Sequence, residues 1–151
     1  MTARRHLAAT DGTAFAPCAP GLSHNGGVPK PRIADAAGLG AITAWSEARA
    51  AGRPTLRADA AMAVRYTLQA LEDRAPGASV EVRVPPFGAV QCVEGPGHTR
   101  GTPPNVIELD VDTWLELATG RASWQEAFEA NRVRASGTRA DVSPWLPLVR
   151  R

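Results

Sequence analysis

Apolar positions recur at helical spacing in two early segments and at alternate positions in the middle of the chain. From Asp35 to Ala51, Leu39, Ile42 and Trp45 share one face, Arg49 and Arg53 crowd the C-terminal end, and Gly52 stops a helix there. Gly38 and Gly40 weaken that helix. After Pro54, residues 57–75 carry Ala61, Val64, Leu68, Leu71 and Ala75 at steps of three and four, the stripe of an amphipathic helix, and Pro76-Gly77 ends it. The period then changes to two. Val80, Val82 and Val84 point one way and Glu81 and Arg83 the other, as in a strand with one buried face. Pro85 to Gly88 is a turn and residues 89–93 a second strand, so the pair predicts an antiparallel hairpin. A Gly- and Pro-rich loop covers residues 95–104, and a third strand covers 105–109.

The stretch from Asp110 to Gly137 organises the remainder. Either Asp110 or Asp112 can N-cap a helix whose apolar face is Trp114, Leu115 and Ala118, with Gly120 as its left-handed stop. Ser123 and Glu126 then form a capping box, in which the serine oxygen takes the N3 amide and the glutamate reaches back to the cap amide. Trp124, Ala127 and Phe128 give this second helix an apolar side, and Asn131 can close it. Val133 and Ala135 alternate with Arg132 and Arg134 as a half-exposed strand would. Ser143 reads as a cap before Pro144, and Trp145, Leu146, Leu148 and Val149 form a short apolar tail that Pro147 limits to about one turn. The sum is an α+β domain of two layers, with a mainly antiparallel sheet of four to five strands covered on one face by helices.

Residues 1–32 are rich in Gly, Pro, Ala and Ser without periodicity and predict a disordered tail, leaving residues 33–151 as a single domain. Arg4 and Arg5 could begin a signal peptide, but no continuous apolar stretch follows them, so a cytoplasmic location is expected. No apolar run is long enough for membrane insertion.

Charge and composition remove several functions. The net charge is +2, and the basic residues are scattered arginines with Lys30 as the single lysine, so there is no footprint for nucleic acid. Cys18 and Cys92 are too few and too far apart for a disulfide framework, and with three dispersed histidines they offer no metal-ligand spacing. Cys92 alternates with apolar neighbours and reads as a buried, inert thiol. Glu108, Asp110 and Asp112 could do acid–base work, but alternate carboxylates after a strand more often cap or face solvent. His98, Thr99 and Arg100 sit among permissive glycines. They are either a loop shaped by Gly and Pro with Arg100 paired to a carboxylate, or a polar site for an anionic or thiol substrate. No helix start follows and no P-loop lysine is present. No catalytic constellation and no cofactor are expected.

The order of elements, with Asp112-Thr113-Trp114-Leu115, Gly120, Glu126-Ala127-Phe128 and Val133 to Gly137, resembles the sterol-carrier-protein type-two domain family in its short, actinobacterial-like form. The resemblance covers residues 57–149 and leaves the helix at 35–51 outside. Four strands are legible where the family carries five. Members of that family are twisted sheets roofed by helices that enclose an apolar tunnel and carry lipids without catalysing a reaction; similar domains are appended to bacterial enzymes. The resemblance implies an apolar ligand (a fatty acyl chain, acyl-CoA or sterol-like molecule) lined by Val82, Val84, Phe87, Val90, Trp114, Leu115, Phe128, Trp145 and Leu146. Two other expectations stand beside it: a solid-cored module serving as a homodimer or as the partner of a separate enzyme, and an enzyme using the loop of His98.

Overall fold

The computed structural model describes residues 31–96, 101 and 104–149. Residues 1–30 of the predicted tail and the side chains of His98, Thr99 and Arg100 lie outside them, while Arg32, at the tail's end, pairs with Asp73 of α2. Helix α1 spans Asp35–Ala50 and α2 spans Arg57–Arg74. Strands β1 (Val80–Val84) and β2 (Gly88–Cys92) follow, then β3 (Val106–Leu109). The chain continues through α3 (Val111–Ala118), α4 (Trp124–Glu129) and β4 (Val133–Ser136), and a 3-10 turn at Ser143–Trp145 precedes the tail.

The four strands lie in the order β2-β1-β3-β4. The hairpin is antiparallel, with Val82 opposite Val90, and its turn closes through the Phe87 amide, which donates to the Val84 carbonyl at 3.0 Å. Strand β4 runs antiparallel to β3, pairing Leu109 with Val133. One pairing departs from a simple meander: β3 lies parallel to β1, with Val82 beside Ile107. The segment between β2 and β3 is long enough to carry the chain past β1 to its far side, so the sheet is mixed, though mostly antiparallel.

Alternation decides the two faces. Val80, Val82, Val84, Val90, Cys92, Ile107, Leu109 and Val133 are buried on the helix side. Glu81, Arg83, Gln91, Glu108 and Arg134 occupy the positions between them. Helix α2 packs on β2 where Gly88 has no side chain, with Leu68 filling the place. It is buried on two sides. Val64, Leu68 and Leu71 belong to the predicted stripe, while Ala60, Ala63 and Thr67 form a second one. The second stripe follows from contacts the stripe pattern does not contain: α1 packs along α2, and Trp114 of α3 reaches Thr67.

Gly38 explains how α1 fits. A Cβ there would overlap the Tyr66 ring, so the glycine that weakens the helix also lets it approach α2. The Tyr66 hydroxyl then donates to Asp35 Oδ1 at 3.1 Å, and the side chain of Gln69 brackets the Ile33 backbone through two hydrogen bonds. Ile42 and Trp45 are buried as their spacing predicts, but Leu39 is 43% exposed. Gly40 has open space around it.

Candidate functional site

The helices that roof the sheet are held by their caps. The Asp110 carboxylate accepts the Thr113 amide at 2.9 Å and the Thr113 hydroxyl at 2.6 Å, so Asp110, rather than Asp112, starts α3. Burial works to raise the pKa of Asp110. The two Thr113 hydrogen bonds and the Arg132 charge outweigh it and hold the group below the ordinary carboxylate range. Gly120 takes φ +72° after the helix, and the Ser123–Glu126 capping box is present with both of its bonds. Asn131 ends α4 in the left-handed region at φ +56°. Ser143 caps nothing: it is the first residue of the 3-10 turn, with no side-chain cap bond at its start.

Asp112, free of capping, accepts the indole N–H of Trp45 at 2.8 Å. Trp45 lies wholly buried between two guanidinium groups, those of Arg49 at 5.6 Å and Arg121 at 5.5 Å from its centroid. Arg49 also pairs with Asp112 and Glu116, and Glu116 takes Arg132 on its second oxygen. Arg121 bonds the Ser46 hydroxyl. Helix α1 is thus joined to α3 by one aromatic ring and a ring of charges.

The nine side chains expected to line a ligand fall into separate groups. Val82, Val84, Trp114 and Leu115 are fully buried, and Val90 nearly so. At zero exposure, no space wide enough for a water molecule opens onto the first four. The Trp114 indole N–H donates to Thr67 Oγ1 at 2.8 Å, which fixes the ring against α2. Phe87 packs at the core's margin beside the first half of α2, with the Arg57 guanidinium 5.5 Å from its ring centroid. Trp145 and Leu146 lie at the other end of α2, where Arg74 donates to the carbonyls of Trp145, Pro147 and Leu148. The amides of Leu148 and Val149 donate to Ala118 O, so the tail is stitched to the end of α3.

Phe128 stands apart at 51% exposure. Helix α4 has under two turns; Ala127 is buried and Trp124 is half-buried against the core, so the apolar side expected of Trp124, Ala127 and Phe128 is realised at the first two.

A groove of about 420 Å³ lies where β1 and β3 end and β4 begins. Pro85, Glu108, Leu109, Asp110, Asn131, Arg132 and Arg134 line it, and none of the nine expected residues does. Both of its arginines already hold a carboxylate, Arg134 that of Glu108 at 3.7 Å and Arg132 that of Glu116. Among the described residues no group of three His, Cys, Asp or Glu side chains could hold a metal ion. The Cys92 thiol is fully buried, and burial, helped by Glu72, pushes its pKa up to about 11, so it is no nucleophile at neutral pH.

Thr67 and Arg74 were not singled out from sequence. Thr67 had a signal, a hydroxyl one step beyond Val64 and Leu68's face in an otherwise apolar helix side. Arg74 had none, since its carbonyl partners are more than 70 residues away in the chain.

No curated protein gives a significant match to the chain. A family model described as "bacterial SCP ortholog" matches residues 56–148, more than half of the chain, and takes in every element from α2 to the 3-10 turn. The chain therefore belongs to the bacterial sterol-carrier-protein (SCP) ortholog family.

Proposed function

We propose that this protein is a carrier-type module that takes an apolar, lipid-like ligand into the layer between the sheet and helices α2 and α3, and that it is not an enzyme. Family membership carries this reading, because the match spans the whole sheet and helices α2 to α4. The all-apolar layer formed by Val82, Val84, Ile107, Trp114 and Leu115 agrees with it, since such a layer would favour a hydrocarbon guest. Because those side chains are fully packed, a guest must part α3 from the sheet and displace Trp114. In this reading Phe87, near one end of α2, and Trp145 and Leu146, near the other, border the parted layer.

The test is thermal. A ligand that binds only the folded chain raises its melting temperature in a saturable way. Palmitate, palmitoyl-CoA and a sterol form the panel, and Trp114→Ala should reduce the shift while Arg53→Ala leaves it intact. No shift across the panel removes the carrier reading.

A second reading has its own support. The zero exposure of Trp114 and its bond to Thr67 describe a finished core, as a partner-binding or dimerisation module would have. A stable partner on co-purification, with no ligand in native mass spectra, would favour it.

A further inference from the structure

At the sheet end opposite the charged groove, four chain segments converge. Ser79 precedes β1, Gly95 follows β2, Asn105 precedes β3 and Arg139 follows β4. The Asn105 carboxamide ties three of them. Its Nδ2 donates to the Ser79 carbonyl at 2.8 Å, and its Oδ1 accepts the Arg139 amide at 3.0 Å. Gly95, at φ +150°, completes the set: a Cβ there would lie 3.0 Å from Ser79 Oγ and would overlap the Arg139 guanidinium. The Arg139 guanidinium therefore lies over the bare Cα of Gly95, with the Ser79 hydroxyl beside the same spot.

The chemistry at this place is incomplete. Ser79 is 1% exposed, and its Oγ has no hydrogen-bond partner among the described residues. An unsatisfied buried hydroxyl is costly, so such groups usually have a partner. Arg139 forms no ion pair among the described residues, whereas Arg49, Arg83, Arg132 and Arg134 each hold a carboxylate. Two nearby acids leave Arg139 open. Asp141 turns its carboxylate to the Ser143 amide at 2.8 Å, and neither it nor Glu94 pairs with the exposed Arg139. A hydroxyl donor and a planar guanidinium fork, held by a shared carboxamide beside a glycine, match a compact oxyanion.

We propose that Ser79, Gly95 and Arg139 form a binding site for an oxyanion group, a phosphoryl or a carboxylate, with Asn105 as the residue that positions them. The guanidinium takes two of the anion's oxygens, and a swing of Arg139 lets the Ser79 hydroxyl reach a third oxygen of a phosphoryl, or one of the same two of a carboxylate, over the bare Cα of Gly95. The site is separate from the apolar layer and does not depend on its being filled.

Amide NMR of the full chain tests this, with inorganic phosphate, phenyl phosphate and acetate titrated against potassium chloride at equal ionic strength. The expected result is a saturable shift at the Gly95 and Arg139 amides with one or more of the three anions and none with chloride. A preference for either phosphate assigns the phosphoryl class, and a preference for acetate the carboxylate. Ser79→Ala and Arg139→Gln should each weaken binding about tenfold, a difference of about 1.4 kcal/mol. Ser79→Ala should also melt no lower than the parent in anion-free buffer, because it removes an unsatisfied hydroxyl. The amide spectrum of each variant shows directly whether it is folded. Shifts that track chloride, no saturation below about 10 mM, or a Ser79→Ala protein that binds as the parent does would overturn the proposal.

Discussion

The Thr67 hydroxyl supports the account's central side chain, and replacing it gives a sharp test. Its Oγ1 accepts the Trp114 indole N–H at 2.8 Å and donates back to the α2 carbonyls of Ala63 or Val64, at 2.8 and 3.0 Å. Both residues are fully buried. Thr67→Val keeps the shape and deletes the acceptor, leaving a buried N–H with nothing to bind. That orphaning costs about 1–3 kcal/mol. A loss near the middle of that range lowers the melting temperature by roughly 6–10 °C for a domain of this size. Trp114→Phe removes the N–H together with ring volume and costs on the order of 2 kcal/mol through lost packing. The double variant should cost about 1–2 kcal/mol less than the sum, because the second change finds no bond left to break. Urea unfolding followed by far-UV circular dichroism measures all four proteins without relying on the indole as probe. If Thr67→Val unfolds within about 0.5 kcal/mol of the parent, or if the two changes simply add, the bond does not hold Trp114 in place.

Three further outcomes follow from the same structure. Gly40→Ala should stabilise the protein by about 0.5–1 kcal/mol, since the site is open and alanine is the better helix former, whereas Gly38→Ala should destabilise it by driving a methyl into Tyr66; thermal melts separate them. Asp110 has a depressed folded pKa, so its stabilisation is complete above the unfolded value of about 3.9 and disappears as pH falls through the folded value; Asp110→Asn should flatten the acid limb of a stability–pH curve measured below about pH 4. Cys92 has a raised folded pKa, so stability should be constant below about pH 8.5 and fall as pH rises from there towards 11, and peptide mapping after iodoacetamide at pH 7.5 should find Cys92 modified only in the unfolded chain.

Local chemistry was the part of this fold that its sequence announced. The capping box at Ser123 and Glu126, the left-handed Gly120 and Asn131, and the alternation Val80, Val82, Val84 are each decided by residues a few positions apart, and each is present. The partner of β3 was not legible. Its alternation says that one face is buried, but whether it adds beside β2 or crosses to β1 depends on the path of the intervening segment. Leu39 and Phe128 show the same limit from the other side. Helical spacing identifies a face, yet the face extends only as far as a neighbour covers it, and both residues lie past that edge. The charge cluster around Trp45 is also invisible in a linear reading, because Asp112, Glu116 and Arg121 come from elements some 67–76 residues further on. As for the candidate ligand layer, its residue types were legible, but their packing was not: nothing in the spacing of valines and indoles says how closely they meet.

Hydrogen exchange of the folded chain, with and without saturating palmitate, bears most directly on the carrier reading. A guest seated between sheet and roof should slow exchange of the amides of α3, Val111 to Ala118, and of β1, Val80 to Val84, while α4 exchanges as before. Unchanged exchange in α3 and β1 at saturating palmitate would contradict a ligand in that layer and leave the solid-cored module in its place.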